Sequence, residues 1–181
     1  MFCGMFMKNA KEKVYDNVYG RKEICYESSR GVIGFLYRKL LGFKVNRYQA
    51  VHNLLPSGKQ RLLDVGCGDG DFIFRAKAKF KEYYGIDVSS LRIERAKEKS
   101  KDILDGDNIH FYNYDVGEGI PFGNSFFDAV TCIAVLEHIF NPPNVLDEIH
   151  RVLKPGDIFA KYRKWWLSTL SGDLIVKSVA Y

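Results

Sequence analysis

Three glycines at alternate positions, Gly66, Gly68 and Gly70, directly follow a short apolar run in the segment LLDVGCGDG. Glycine has no side chain, so a ligand can lie against the main chain, and the N–H groups at the start of a following helix can bind an anion. A dinucleotide site of the G-x-G-x-x-G type needs its third glycine at position 71, where this chain has Asp71. The spacing therefore indicates a ligand of another class.

The carboxylates of this segment narrow the ligand class. Asp64, Asp69 and Asp71 would repel a pyrophosphate but would attract a positive centre. S-adenosylmethionine fits, because it has a carboxylate for the main-chain N–H groups, an ammonium and a sulfonium for the acids, and no phosphate. The segment therefore predicts S-adenosylmethionine as the cofactor and S-adenosylhomocysteine as its product.

A further acid, Asp87, stands 21 residues after Gly66 at the end of the apolar segment YYGIDV. At the end of a second strand, a carboxylate can accept hydrogen bonds from both hydroxyls of a ribose. The alternative is that Asp87 caps a helix that begins near Ser89. Both roles place Asp87 at the same strand end, and we favour ribose binding.

The segments around these residues alternate between strand and helix patterns. Strands are predicted at RLLDVG, YYGIDV, IHFYNYDV, FDAVTCIA and DIFAKY. Helices are predicted at DFIFRAKAKF, with Phe72, Ile73, Ala76 and Phe80 at helical spacing; at LRIERAKEKSKDIL, with Ser89 or Ser90 as N-cap; and at NVLDEIHRVLKPG, closed by Pro155 and Gly156. This order predicts an α/β fold with a doubly wound, mainly parallel, Rossmann-like sheet that binds its ligand at the carboxyl ends of the strands.

Composition limits the class of protein. A chain of 181 residues with 46% hydrophobic residues can bury one sizeable core, so we expect one domain. The four cysteines lie far apart, without a CxxC pair or histidines at zinc-ligand spacing, so no metal site is predicted. No apolar run approaches the length of a membrane span, and we expect a cytoplasmic protein without a membrane partner.

The net charge of +5 is unevenly distributed. Residues 1–60 have 11 Lys or Arg against 4 acids, whereas residues 61–157 have 12 against 17. Such charge usually belongs to solvated helix faces. The other interpretation is an anionic substrate, for which Arg38 and Arg47 are the favoured contacts, because guanidinium groups bind carboxylate or phosphate in a forked geometry.

The chain from about Arg61 to Gly156 resembles class I S-adenosylmethionine-dependent methyltransferases, most closely the methyltransferase type 11 group. The segments that carry the resemblance are LLDVGCGDG, YGIDVS, YDVGEGIPFGNSFFDAVTCIAVLEHI and VLDEIHRVLKPGD, in the order of that family. Together they span a little over half of the chain. The resemblance implies methyl transfer and says little about the acceptor.

The resemblance also implies which residues bind the cofactor. These are Asp64, Gly66, Cys67, Gly68, Gly70, Asp87, Val88, Asp115, Val116 and Ile133. Asp64 would lie near the ammonium, Val88 and the Val116 main chain beside the adenine, and Asp115 at the adenine amino group. The Ile133 carbonyl would accept from the ammonium. Alternatively, Val88, Val116 and Ile133 are core residues, and we interpret Cys67 as a packing residue.

Glu137 and His138 follow the fourth predicted strand and are the candidate catalytic pair. A histidine near its free pKa can remove a proton from an acceptor that needs it. The alternative is hydrogen bonding that shapes the floor of the pocket. Tyr15, Asp16 and Tyr19 could belong to an N-terminal lid or to an aromatic stripe that docks on the core.

The predicted organisation is a single domain over residues 1–181. Residues 1–60 would form a helical N-terminal cap, 61–157 the cofactor-binding core and 158–181 a reduced C-terminal part. The end of the chain predicts a hairpin that turns at SGD, or a short helix and one strand. Either would leave Trp165 and Trp166 poorly covered, which indicates a homodimer contact or a chain shortened relative to its relatives. The prolines of NPPN are interpreted as breaking the chain before a helix that starts near Val145.

Three functions are compatible with these patterns. The favoured one is methyl transfer to a small acceptor, in one interpretation an anionic one. The basic flanks leave an RNA-modifying methyltransferase open, although nucleic acid is not the favoured partner. The shortened C-terminal part leaves open a cofactor-binding protein without catalysis or a partner-dependent subunit.

Overall fold

The structure is a computed structural model that describes residues 47–102, 106–164 and 172–178. Its helices are α1 (Arg47–Leu54), α2 (Asp71–Ala76), α3 (Ser90–Lys101) and α4 (Pro142–Val152). Its strands are β1 (Lys59–Val65), β2 (Phe80–Asp87), β3 (Ile109–Asn113), β4 (Phe127–Ile133), β5 (Leu153–Lys164) and β6 (Gly172–Ser178). Short 3₁₀ turns span Gly106–Asn108, Val116–Glu118 and Leu136–His138.

The six strands form one sheet in the order β3-β2-β1-β4-β5-β6. Strands β1 to β5 are parallel, and β6 pairs antiparallel with β5. Strand order reverses between β1 and β4, and in such sheets the crevice outside the carboxyl ends of these strands binds ligands. The predicted α/β fold is confirmed.

Apolar side chains cover both faces of the sheet. One face packs against the first three helices, through Val51 of α1, Phe72 of α2 and Ile93 of α3. The other packs against α4, through Val145 and Ile149. Both layers are needed because the central strand β4 is buried along its whole length.

Helix α2 is shorter than its sequence pattern predicts. It ends at Ala76, and Phe80 is the first residue of β2, so the prediction that Phe80 lies on this helix is wrong. The Tyr83 hydroxyl causes the early end: it donates to the Ala76 carbonyl at 3.0 Å and accepts from the N–H groups of Lys79 and Phe80 at 3.1 and 2.8 Å. These bonds satisfy main-chain groups that a longer helix would have paired.

Replacing Tyr83 with Phe is expected to lower the free energy of unfolding by about 1–3 kcal/mol, because the buried Phe80 N–H loses its bond to the hydroxyl, whereas the Lys79 N–H still donates to the Ala76 carbonyl at 3.2 Å. Tyr84→Phe is the matched control, since its partly buried hydroxyl donates to the Glu82 side chain at 2.9 Å and its loss leaves no main-chain group unpaired. Urea unfolding of both variants measures the difference. Equal effects of the two changes would contradict this account.

Helix α4 begins earlier and ends earlier than predicted. Pro142 and Pro143 occupy its first turn, where a missing N–H is tolerated, so they start the helix instead of preceding one that starts near Val145. The helix ends at Val152, and β5 begins at Leu153. Pro155 and Gly156 therefore do not close the helix; they lie in β5 at an irregularity of its pairing with β4.

Of two further predicted boundaries, a helix start is confirmed and a turn is wrong. Ser89 is the N-cap of α3, as predicted, and accepts from the Arg92 N–H. The predicted turn at SGD is wrong, because β5 continues to Lys164 and already pairs there with Gly172. The predictions for Tyr15, Asp16, Tyr19, Arg38, Trp165 and Trp166 fall outside the residues that the structure describes.

Candidate functional site

The glycine segment leaves β1 and turns back onto the end of β2. The N–H groups of Gly66 and Cys67 both donate to the Ile86 carbonyl, at 2.8 and 3.1 Å, and the Gly70 N–H donates to the Cys67 carbonyl. We call the segment 66–70 the glycine loop. Its hydrogen bonds hold it at the carboxyl ends of β1 and β2, where the fold predicts a ligand.

The chain's own packing requires glycine in this loop. Gly66 has a φ of +70°, and a Cβ there would collide with the Val135 side chain, which follows β4. Gly68 has a φ of +55°, and a Cβ there would occupy the place of the Arg92 guanidinium. The absence of side chains at Gly66 and Gly68 therefore leaves room for side chains of the protein itself. At Gly68 the group that a new Cβ would meet is the flexible end of the Arg92 side chain.

Asp64 is the site residue with the most unusual electrostatic surroundings. It lies near the end of β1, is 3% exposed, and accepts a hydrogen bond from the Thr131 hydroxyl at 2.7 Å. Burial raises its pKa to about 7, the Thr131 bond lowers it and the Asp87 charge raises it. Within the described ranges no lysine or arginine pairs with Asp64, so a cation supplied by a ligand fits this position.

Asp87 joins the glycine loop to helix α3. One carboxylate oxygen accepts from the Ser89 N–H at 2.9 Å, and the other accepts from the Gly68 N–H at 2.8 Å. Burial raises the pKa of Asp87, whereas the Ser89 N–H and the Arg92 charge lower it. Ser89 is the N-cap itself, so Asp87 supports the helix start and retains lone pairs on both oxygens for a ligand.

The remaining loop acids are neutralised by helix α3. Arg92 Nε lies 3.3 Å from Asp69, and Lys99 Nζ lies 3.1 Å from Asp71. The expectation that Asp69 and Asp71 would select a positive ligand therefore loses its basis. Arg92 and Lys99 are seven residues apart on one helix face, but only the fold shows that this face meets the loop.

The end of β3 adds the predicted Asp115 and one residue that the sequence interpretation missed. Asp115 caps the 3₁₀ turn Val116–Glu118 by accepting from the Gly117 N–H at 2.9 Å. The missed residue is Asn113, whose amide donates to the carbonyls of Asp87 and Val88 at 3.1 and 2.9 Å. Asn113 stands opposite Asp87 in the pairing of β2 with β3, and no local sequence signal marks it.

The three apolar site residues differ in their surroundings. Ile133 is buried in the core layer beside the first three helices, and Val116 packs against the other layer, so their side chains fit the core alternative. Val88 is partly buried directly after β2. Cys67 is buried, and burial raises the pKa of its thiol, which fits packing better than nucleophilic chemistry.

The chain leaves β4 through a strained turn. Ala134 has a φ of 58°, which is rare for a residue with a side chain, and Val135 then packs over Gly66. Glu137 and His138 follow in the 3₁₀ turn, where both are exposed and the His138 N–H donates to the Val135 carbonyl at 2.8 Å. Phe140, which the sequence interpretation missed, is fully exposed beyond this turn.

The described part of the chain contains neither a metal-binding cluster nor a membrane-spanning helix. No group of three or more His, Cys, Asp or Glu side chains there could hold a metal ion. None of the helices described is both long enough and apolar enough to cross a membrane. The cytoplasmic location stays a prediction.

A family model described as a methyltransferase domain matches residues 56–174. The chain belongs to this methyltransferase family. The match includes the glycine loop, Asp87 and the turn after β4, and it confirms the resemblance recognised in the sequence.

Individual relatives of this methyltransferase family are matched over only part of their length. The 2-phytyl-1,4-naphtoquinone methyltransferase of Nostoc punctiforme is 37% identical over 97 residues, which are 52% of this chain and 42% of that protein. The demethylmenaquinone methyltransferase of Leptospira interrogans is 35% identical over 130 residues, 68% of this chain and 52% of that protein. The chain thus spans about half the length of these curated relatives.

Solved structures share the fold of the methyltransferase family. The cyclase SpnF superimposes with a TM-score of 0.60 and 29% identity, over 65% of this chain and 43% of that one. Because that protein is described as a cyclase, the fold does not fix the reaction.

Proposed function

We propose that this chain binds S-adenosylmethionine at the carboxyl ends of β1, β2 and β4 and transfers its methyl group to a small acceptor. The observation that carries the proposal is Asp64, a buried carboxylate that no lysine or arginine of the described residues neutralises. A ligand with a positive ammonium would complete it. When bound, the cofactor supplies a methyl carbon that its sulfonium activates for in-line displacement.

The chain's own groups would bind and orient the two ends of the cofactor. Asp64 would hold the ammonium, with the Ile133 carbonyl nearby, and the methionyl part would lie on the glycine loop beside the Val135 and Arg92 side chains that cover Gly66 and Gly68. Asp87 would accept from the ribose hydroxyls through the lone pairs that Gly68 and Ser89 leave unused. Orientation of this kind can supply much of the rate of a displacement at an activated carbon.

The adenine would lie between the ends of β2 and β3. Val88 would pack on the ring, and Asp115 and the Val116 main chain would contact its polar edge. The support for this placement is the pairing of the two strand ends: Asn113 fixes the carbonyls of Asp87 and Val88 beside the turn that Asp115 caps.

For the acceptor we favour a small aromatic molecule of the quinone type. Relatives at 35–37% identity carry such names, and the exposed Phe140 lies two residues after His138. An anionic acceptor has weaker support. A cleft of about 400 Å³ between the turn Val116–Glu118 and α4 is lined by the acids Glu118, Asp147 and Glu148, and the Arg47 guanidinium lies over the Tyr48 ring at 4.9 Å.

His138 is the proposed base for an acceptor that must lose a proton, with Glu137 beside it. Their exposure on the turn after β4 leaves both side chains accessible to an acceptor. The alternative, hydrogen bonding that shapes the floor of the pocket, is the second role that this position allows.

A cofactor-binding protein without methyl transfer is the second candidate, because the structural neighbour SpnF is described as a cyclase. Incubation with methyl-labelled S-adenosylmethionine and fractionated cell extract separates the two. Label in an extracted small molecule supports the favoured function. Label in RNA would support the RNA-modifying alternative, and cofactor binding without transfer to any fraction would support the second candidate.

Asp87→Ala is expected to weaken S-adenosylhomocysteine binding by about 1–3 kcal/mol, because it removes a charged acceptor of hydrogen bonds. Titration calorimetry measures the change, with NAD as a ligand that should bind far more weakly. Asp102→Ala, which removes an exposed acid at the end of α3, is the matched control and should bind like the unaltered protein. Unchanged affinity of Asp87→Ala, or NAD binding of equal strength, would contradict the proposed site.

A further inference from the structure

Arg92 stands between the glycine loop and the acid proposed to bind ribose. It lies on the first turn of α3, and its own N–H is held by the Ser89 hydroxyl at 3.3 Å. Its guanidinium lies against Gly68, in the place that a Cβ there would occupy, and its Nε is 3.3 Å from Asp69. The side chain is mostly buried, with 32% of its surface exposed.

The charges around Arg92 show what it compensates. Burial lowers the pKa of Arg92, but attraction to Asp87 first and Asp69 second outweighs this, so the net shift is upward. Asp87 is itself buried, and the other charged groups that face it are acids: Asp69, and Asp64 across the loop. Among the described residues, Arg92 is the cation whose positive charge lowers the pKa of Asp87.

We propose that Arg92 is a positioning residue of the cofactor site: its guanidinium lies against Gly68, whose N–H holds Asp87, and there it supplies the positive charge opposite the carboxylate that accepts both ribose hydroxyls. This inference rests on the function proposed above. The ribose hydroxyls donate to an ionised carboxylate through lone pairs that a protonated carboxyl group would partly lose. Arg92 would therefore act through Asp87, and its contact with Asp69 would hold it in place.

Two different ligands distinguish the contribution of Asp87 to the pH dependence of binding from that of Asp64. Both acids have a raised pKa, so the pH dependence of S-adenosylhomocysteine binding contains contributions from both. The nucleoside 5′-methylthioadenosine has the adenine and ribose but lacks the amino-acid group that Asp64 would bind. The acidic limb of its binding therefore reports on Asp87.

The test compares Arg92→Met, Arg92→Lys and the control Lys99→Met by calorimetry with both ligands in a series of buffers from mildly acidic to mildly alkaline, because a carboxyl group with a raised pKa gains its charge as the pH rises. Arg92→Met should bind 5′-methylthioadenosine about tenfold more weakly near the acidic end, with a difference that shrinks as the pH rises, because Asp87 then ionises without help. Arg92→Lys should restore the pH profile because it restores the charge. Lys99→Met removes another α3 cation that contacts Asp69 and should leave the profile unchanged.

The outcomes are distinct. A loss of affinity that is equal at every pH and is not restored by Arg92→Lys would overturn the inference, because Arg92 would then have a purely structural role in the loop. A loss for S-adenosylhomocysteine that spares 5′-methylthioadenosine would also overturn it, because Arg92 would then bind the amino-acid carboxylate directly. If the unaltered protein bound neither ligand, the proposed function would fail and the inference with it; normal binding by Arg92→Met would overturn the inference alone.

Discussion

Replacing Asp64 with Asn is expected to stabilise the unliganded protein at pH 8 by up to about 4 kcal/mol, the equivalent of a pKa shift from 3.8 to about 7. The folded state binds this proton more tightly than the unfolded state. The associated stability is therefore fully present below pH 3.8 and is lost as the pH rises to about 7. Asn has no such proton, so the gain should grow from pH 3.8, the pKa of an unperturbed Asp, to about pH 7 and then level off. Urea unfolding across this range measures it.

The same change should weaken cofactor binding. An ammonium held by Asp64 favours the ionised carboxylate, so binding to the unaltered protein should release a proton and weaken as the pH falls below about 7. Asp64→Asn removes a charge-assisted contact, which is expected to reduce affinity roughly 10- to 100-fold at pH 8 and to abolish that proton release. Calorimetry with S-adenosylhomocysteine in buffers of different ionisation enthalpy measures both quantities.

Thr131→Val is the matched control for these measurements. It keeps the Asp64 carboxylate but removes the hydroxyl hydrogen bond that lowers its pKa, so the pH midpoint of binding should move upward. Affinity should then recover as the pH rises further, unlike that of Asp64→Asn. If Asp64→Asn bound the cofactor like the unaltered protein, the ammonium would lie elsewhere, and the buried Asp64 would no longer support the proposed function.

The glycine loop and its two strands could be predicted because their signals are local. An apolar run, alternating glycines and an acid at the end of the next apolar run are all read within 26 residues, from Leu62 to Asp87. The parallel pairing of β1 with β2 then follows from the helix between them. What this pattern could not reveal is that Val135, 69 residues beyond Gly66, fills the space in front of that glycine.

The errors come from contacts that local patterns do not contain. Phe80 continues the helical spacing of Phe72 and Ile73, but the Tyr83 hydroxyl ends the helix from the following strand. The prolines of NPPN were interpreted as helix breakers, although the first turn of a helix accepts proline.

The charge pairing of the site was equally hidden. Asp69 and Asp71 look like unpaired loop acids until the fold brings Arg92 and Lys99 to them across 23 and 28 residues. Only after this pairing is known does Asp64 stand out as a buried acid with which no lysine or arginine of the described residues pairs. The cofactor class was predicted from the glycine spacing and the loop acids, whereas the role of each carboxylate required the three-dimensional arrangement.

Gly66→Ala is expected to destabilise the protein by about 2–5 kcal/mol, the sum of two effects. A side chain at a φ of +70° is strained by about 1–2 kcal/mol, and the new Cβ must also displace Val135, which resembles overpacking of a core. Displacement of Val135 moves the turn that carries Glu137 and His138, so methyl transfer should fall more than cofactor affinity. Urea unfolding and transfer of labelled methyl to the acceptor fraction measure the two effects.

Gly58→Ala isolates the contribution of Val135. Gly58 has a similar φ of +77°, but a Cβ there would meet nothing within 4 Å, so this variant should show the backbone strain alone. The excess loss of stability in Gly66→Ala over Gly58→Ala should largely disappear when Val135→Ala is added to it, because the smaller side chain leaves room for the new Cβ. If the two glycine variants lost equal stability, or if Val135→Ala gave no recovery, the glycine at position 66 would be needed only for its backbone conformation. The close packing of Val135 on the glycine loop would then not require the absence of a side chain at Gly66.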